Sequence, residues 1–150
     1  MTGRTFDMAL AAVVEQEGGY QLVHDSGDPM GQSYAGISRR RHPTWQGWPI
    51  LDQDAFAAAR VHRLVAELYR DVYWNPLQLP ATIGQRFATM VLSAAVSVGV
   101  QSARLLLQDS RGGRITFAVY WLAYYADMVR DKPELARFQL GWFRRVLTLL

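Results

Sequence analysis

The sequence has no cysteine among its 150 residues. Without thiols the chain cannot form a disulfide scaffold, a thiolate metal site or a cysteine nucleophile. The three histidines, His24, His42 and His62, do not have the spacing of metal ligands. We therefore predict that the protein works without a metal or another cofactor.

Long hydrophobic runs are also absent. The longest uncharged apolar stretch, Phe87 to Val100, has fourteen residues, whereas a membrane-spanning helix needs about 20. Residues 1–17 contain acids and lack the basic region, apolar core and cleavage site of a Sec signal peptide. We predict a buried helix at residues 87–100, no membrane span, and a protein made in the cytoplasm without a Sec signal.

The composition points to one compact domain. Half of the residues are apolar, and a chain of this length can form a single hydrophobic core but is short for two domains. Sixteen Lys and Arg against thirteen Asp and Glu give a net charge of +3. This excess is a mild bias toward anionic partners such as nucleic acid, anionic lipid or the bacterial cell wall.

Apolar residues recur at helical spacing, and no segment alternates convincingly as a strand does. The predicted helices cover about residues 6–17, 52–72, 82–98, 101–108, 116–130 and 133 to the C-terminus. In the second helix we expect Asp52 to act as the N-cap. The expected buried stripe consists of Phe56, Leu64, Leu68 and Val72. Residues 20–50 predict a long loop or a small hairpin, which is usually functional at this length. The expected class is mainly α.

Glu17 is the one acid on the buried side of the first helix. On a helical wheel it lies within about 40° of Phe6, Leu10 and Val13, whereas Glu15 lies on the opposite side. Burial and the negative end of the helix dipole both favour the neutral form of a carboxylic acid. A protonated acid is what glycoside cleavage needs, because the leaving oxygen must receive a proton. From this geometry alone, a structural or solvated role is more common than a catalytic one.

Several segments carry a resemblance to a known family. They are EGGY (Glu17 to Tyr20), DPMGQSYAGI (Asp28 to Ile37), LYRDVYWNPL (Leu68 to Leu77), LSAAVSVGVQSARLLLQ (Leu92 to Gln108) and LGWFRRV (Leu140 to Val146). In this order they resemble glycoside hydrolase family 108, the phage-type N-acetylmuramidases or endolysins. The resemblance spans nearly the whole chain.

The resemblance implies a fold and an activity. The fold is a single, mainly helical, lysozyme-like domain with the active site on the N-terminal loop or hairpin. The activity is hydrolysis of the β-1,4 link between N-acetylmuramic acid and N-acetylglucosamine in peptidoglycan, with Glu17 as the catalytic acid. The expected partner is the peptidoglycan glycan strand. The protein would act on the cell wall in the periplasm after release through a holin or another export system.

The chain departs from the family pattern at several polar positions. Ala35 stands where the family usually has Tyr, and Ser93 and Ser97 stand where it usually has Asp and Asn. Residues 109–117 are a divergent form of a family motif, so the part from about 109 resembles a degenerate peptidoglycan-binding segment. These losses favour an alternative reading: a weakened or inactive relative that binds peptidoglycan or serves as a structural part of a phage or secretion system.

Further residues are candidates for the substrate site. Asp25 and Asp28 are the nearest possible second carboxylates, although Asp28-Pro29 also suits a simple turn. Ser33 could hold a water or the second acid. The aromatic candidates for contact with sugars are Tyr20, Tyr34 and Trp74, with Tyr73, Trp45 and Trp48 as further ones; of these, Trp45 and Trp48 lie in a stretch that is too polar for a core helix.

The run Arg39 to Arg41 predicts a solvated surface loop that can steer the protein toward the anionic wall. Clustered arginines also contact nucleic-acid phosphates. This nucleic-acid reading is the weakest of the three hypotheses, and we predict no nucleic-acid partner.

Overall fold

The computed structural model describes residues 3–24, 31–54 and 58–150. Helices make up most of it, which confirms the prediction of a mainly α protein. The chain forms two compact units, Met1–Pro76 and Leu77–Leu150.

The N-terminal unit combines helices with a small sheet. Its elements are α1 (Gly3–Gln16), β1 (Leu22–His24), β2 (Gln32–Tyr34), β3 (Ile37–Ser38), α2 (Gly47–Gln53), α3 (Ala58–Leu68) and a π-helical segment (Tyr69–Trp74). The strands form an antiparallel sheet in the order β1-β2-β3, with Leu22 opposite Tyr34 and Tyr34 opposite Ile37. A hairpin was one of the two forms expected for residues 20–50.

The core of this unit confirms the predicted face of α1. Phe6, Leu10 and Val13 are buried, Glu15 is exposed and Glu17 is partly buried. The 3.6-residue period places these side chains on one face, and burying them stabilises the helix by about 25 cal/mol per Å² of apolar surface removed from water.

The prediction for the second helix is wrong in two respects. Asp52 is no N-cap, because it lies in the last turn of α2 and pairs with Arg39. The buried stripe of α3 and the π-helical segment is Val61, Val65 and Tyr69, whereas Val72 is exposed. Leu64 and Leu68 lie beside this stripe and are only partly buried. Phe56, also expected on the stripe, lies outside the described residues.

The C-terminal unit is helical. After α4 (Asn75–Leu77) come α5 (Gln85–Val98), α6 (Val100–Asp109), α7 (Arg114–Asp131), a 3-10 turn (Pro133–Leu135) and α8 (Ala136–Thr148). Residues 87–95 of α5 are buried throughout, as their apolar composition predicted. Phe87 of α5 packs edge-on against Phe117 of α7, with ring centroids 5.6 Å apart.

One of the family departures, Ser97, has structural partners inside this unit. The Ser97 hydroxyl donates to the Ser93 carbonyl at 2.8 Å. Arg145 of α8 donates to the Ser97 oxygen at 2.6 Å. The serine at 97 therefore links α5 to α8 by hydrogen bonding.

Among the residues that the structure describes, none of the helices combines the length and the apolar character needed to cross a bilayer.

Candidate active site

Glu17 is held by the way α1 ends. Its amide still donates to the Val13 carbonyl at 3.0 Å, as in a helix. The next two amides turn back: Gly18 donates to Glu15 at 3.1 Å and Gly19 donates to Val14 at 2.9 Å. This pair of bonds is a Schellman motif, which needs a left-handed residue after the helix, and Gly18 has φ +96°. Glu17 is thus the C-cap residue, directly after the last residue of α1.

The turn between β2 and β3 packs against the Glu17 side chain. Ala35 and Gly36 form a two-residue turn with φ values of +48° and +77°, the signs of a type I′ hairpin. A Cβ added to Gly36 would lie 2.8 Å from Glu17 Cγ and 2.6 Å from the Tyr69 hydroxyl. The Gly36 backbone therefore lies directly against both side chains, and no larger residue fits.

Tyr69 fixes this turn from the π-helical segment. Its hydroxyl donates to the Ala35 carbonyl at 2.8 Å, and its side chain is buried. The hydrogen bond helps to hold Ala35 in a left-handed conformation that ordinary residues adopt at a cost of about 1–2 kcal/mol. The turn and Glu17 are consequently parts of one packed arrangement.

Tyr73 is acted on by the charge of Glu17 and contacts His42. Tyr73 is partly buried, and its ring lies 5.4 Å from that of Tyr69. The Tyr73 hydroxyl and His42 Nε2 share a hydrogen bond of 3.3 Å. Burial raises the pKa of Tyr73, Arg41 lowers it, and the Glu17 charge raises it. Burial and then Arg41 lower the pKa of His42. Glu17 and Arg41 are thus within electrostatic reach of Tyr73.

Tyr20, three residues after Glu17, has an aromatic ring that is partly exposed. Its ring stacks on His62 with centroids 3.7 Å apart, and 37% of the residue is exposed. Partial burial raises the pKa of Tyr20, so the phenol is neutral at ordinary pH. A ring with one face supported and an exposed remainder is suited to contact a sugar.

Two other predicted substrate contacts need correction. Tyr34 is 2% exposed because it lies between Tyr20 and the stacked ring of Trp45. Trp74 is 7% exposed, with its ring packed edge-on against Phe6 at 5.3 Å. Neither side chain offers a face to a substrate in this structure, and both support the core instead.

The prediction that Trp45 and Trp48 line a cleft is also wrong. Both side chains are buried, and each indole donates to a backbone carbonyl, Trp45 to Leu64 at 3.3 Å and Trp48 to His42 at 2.7 Å. Polar neighbours in the sequence predicted exposed indoles. Burial is possible because these hydrogen bonds satisfy the indole nitrogens inside the fold.

The remaining predicted site residues belong to the sheet region. Ser33 lies in the middle of β2, opposite Val23 and Ser38, and is partly buried. Asp25 and Asp28 lie outside the described residues, so their roles stay predictions.

The arginine run does not act as one charged surface. Arg39 forms a bidentate ion pair with Asp52, with N–O distances of 2.9 and 2.5 Å, and it lies over the Trp48 ring. Its side-chain hydrogen bond also raises the pKa of Arg39 and lowers that of Asp52. Arg41 is exposed, and its charge acts on Tyr73 and His42.

Comparison with known proteins decides the family. The family model described as glycosyl hydrolase 108 matches residues 10–99, a range that contains the second half of α1, the described sheet and α5. The chain belongs to glycosyl hydrolase family 108. Neither a curated protein nor a solved structure gives a match.

Membership in family 108 makes the protein a hydrolase of the glycosidase type, and the family acts in general on peptidoglycan. The lysozyme-like, mainly helical fold expected from the resemblance agrees with this membership.

The geometry of this family 108 member also includes residues that the sequence analysis did not assign to the site. Gly36 and Tyr69 carry no chemical signal of their own, although each lies inside a segment that resembles the family. In the sequence, His42 lacks the spacing of a metal ligand, and Tyr73 indicates only a ring that could stack on a sugar. Their hydrogen bond joins positions 31 residues apart, which no local pattern reveals.

Proposed function

We propose that the protein cleaves the β-1,4 link between N-acetylmuramic acid and N-acetylglucosamine in peptidoglycan, with Glu17 as the general acid. Glu17 donates its proton to the glycosidic oxygen as the bond to the anomeric carbon breaks, so that the leaving sugar departs as a neutral alcohol. The family supplies the coarser assignment, and the residues around Glu17 support the finer one.

The observation that carries the proposal is the packing of Glu17. Its side chain lies against Gly36 and close to Tyr69, at a helix end whose carbonyls carry partial negative charge. The acid is thus held at a fixed position beside the sheet turn, as a positioned proton donor must be. The exposed Tyr20 ring nearby supports binding of a glycan strand.

Chemical analysis of the new chain ends tests the reaction. Purified peptidoglycan is digested, the products are reduced with borohydride, and the reduced sugars are identified by mass spectrometry. We expect N-acetylmuramitol in the products. Reduced N-acetylglucosamine alone would contradict the assigned bond.

Sedimentation with cell walls, combined with this end-group analysis, tests the alternative of a binding or structural module. A protein that sediments with cell walls but releases no new reducing ends would be a peptidoglycan-binding or structural module, as Ser93 and Ser97 suggest by their departure from the family pattern. That result would overturn the proposed activity.

Tyr20 supplies a test of substrate binding. We expect Tyr20→Ala to raise KM for glycan strands about tenfold, which corresponds to a loss of roughly 1.4 kcal/mol, because the sugar loses its aromatic contact. Tyr20→Phe keeps the ring and should stay close to the unaltered protein. Steady-state kinetics on soluble glycan fragments measures both.

Tyr120→Ala is the matched control, since Tyr120 is an exposed tyrosine on α7. An equal rise in KM for both alanine variants would remove Tyr20 from the proposed site.

We expect the protein to reach its substrate in the periplasm after release through a holin or another export system. Peptidoglycan is the substrate class that the family implies, and the net charge of +3 favours approach to an anionic wall.

A further inference from the structure

The π-helical segment brings two tyrosines to the Glu17 side of the sheet turn. Its wider turn is marked by the Asn75 amide, which donates to the Arg70 carbonyl five residues back. Such turns recur at functional sites because they redirect side chains without ending the helix. Tyr69 and Tyr73 come from this segment, and the Tyr69 hydroxyl bonds the Ala35 carbonyl. Tyr69 is therefore assigned to holding the turn.

Tyr73 has a different kind of partner. Its hydroxyl bonds His42 Nε2, a nitrogen that can accept a proton. The two rings lie 6.4 Å apart and nearly perpendicular, at 79°, so their contact is through the polar edge. A phenol bonded to an imidazole is a chain along which a proton can move.

Burial is the main reason that both groups are neutral near neutral pH. The charged groups that act on Tyr73 are Glu17 from the end of α1 and Arg41 from the loop after β3. Burial is the main cause that raises the pKa of Tyr73 above 10.0. Burial, and then Arg41, lower the pKa of His42 below 6.5. A neutral imidazole retains one nitrogen that accepts a hydrogen bond.

We propose that Tyr73 and His42 are the second catalytic group of the reaction: they take up the proton of the water that attacks the sugar beside Glu17. This inference rests on the proposed function, in which Glu17 is the acid. Tyr73 is a catalytic residue because it contacts the water, and His42 acts through it.

The step balances in protons and electrons. The water oxygen forms a bond to the anomeric carbon while the bond from that carbon to the glycosidic oxygen breaks. Glu17 gives its proton to the leaving oxygen. The water gives one proton to the Tyr73 oxygen, and Tyr73 passes its own proton to His42 Nε2. The imidazolium and the Glu17 carboxylate return to their starting states by exchange with solvent.

A single displacement of this kind has a stereochemical consequence. Water attacks the face opposite the leaving sugar, so the product is released with inverted anomeric configuration. Proton NMR of the fresh products should show the α-anomer first. Initial release of the β-anomer would overturn the proposal, whatever the variants do.

Two variants test the residues directly. Tyr73→Phe removes only the hydroxyl, and we expect kcat to fall about 100-fold with KM nearly unchanged, the scale of lost general base catalysis. His42→Gln keeps a polar group at the Nε2 position and should lower kcat by a similar factor. Tyr120→Phe, an exposed tyrosine outside the site, is the control and should be silent.

The dependence of kcat on pH distinguishes this role from a structural one. His42 must be neutral to accept the proton, so activity should fall as pH drops through its lowered pKa. In His42→Gln the fall of kcat at low pH should disappear or shift to another pH. Superimposed pH profiles for the variant and the unaltered protein would overturn the proposal.

Other outcomes distinguish a failure of this inference from a failure of the proposed function. One such outcome is that Tyr73→Phe keeps full activity while Asp25→Asn or Asp28→Asn loses it. That result would assign the second catalytic group to a carboxylate and overturn only the proposed role of Tyr73 and His42. Full activity in Glu17→Gln would overturn the proposed function as well.

Discussion

Glu17→Gln should lower the rate of peptidoglycan cleavage by about 100- to 10,000-fold, the range that a positioned proton donor contributes. Glutamine has almost the same shape and cannot donate a proton to the leaving oxygen. It can keep the contact with Gly36, where Glu17 Cγ lies close to the turn. The thermal midpoint should therefore be about unchanged. Clearing of permeabilised Gram-negative cells measures the rate, and calorimetry measures the midpoint.

Glu15→Gln is the matched control for this experiment. Glu15 lies two residues earlier on the exposed side of α1, and its loss should be nearly silent. Comparable activity in Glu17→Gln and Glu15→Gln would remove the acid from the proposed mechanism. A large fall in the midpoint of Glu17→Gln would show that the residue is mainly structural.

Gly36→Ala should destabilise the protein by about 2–4 kcal/mol, because it combines a left-handed alanine with an overpacked contact. The added methyl carbon would lie 2.6 Å from the Tyr69 hydroxyl and 2.8 Å from Glu17 Cγ. The turn or the acid must then move, so activity should fall along with stability. For a chain of this size the thermal midpoint should drop by about 4–16 °C.

Gly18→Ala separates the two contributions. Gly18 also has a positive φ, but a Cβ there meets nothing within 4 Å. Its cost should be only the conformational part, about 1–2 kcal/mol. Equal losses in Gly18→Ala and Gly36→Ala would show that the contact with Glu17 and Tyr69 is looser than the structure indicates.

The helical face of α1 was predictable from sequence because it depends on a local period. Phe6, Leu10 and Val13 are buried, and Glu17 follows them at the same spacing. The end of the helix was predictable for the same reason, since paired glycines are a local signal for a left-handed cap. The mainly α class and the position of Glu17 at the end of α1 could therefore be predicted from short-range patterns and the family resemblance.

The buried aromatic residues were harder to place because their partners are distant in sequence. Trp45 and Trp48 lie in a polar stretch, yet their indole nitrogens bond backbone carbonyls and their rings pack at 4.9 Å. The small displacement of the buried stripe in α3 has a similar origin. Tyr69, on the buried face, donates to the Ala35 carbonyl, which lies 34 residues earlier in the chain.

The surroundings of Glu17 could not be predicted residue by residue. His42 and Tyr73 meet across 31 positions, and Gly36 meets Glu17 only because a hairpin returns to the helix end. The sequence gives the chemical type of each of these residues, but it does not predict which of them lie close together in the fold.

The C-terminal helices have a consequence for the boundaries of the family domain. The matched range ends at Gly99, but α5 inside it presses Phe87 onto Phe117 and shares a hydrogen bond with α8 through Arg145. Cutting the chain at the edge of the match would expose that apolar face and leave Ser97 without its guanidinium partner. Grafts and shortened versions of this hydrolase should therefore retain α6, α7 and α8.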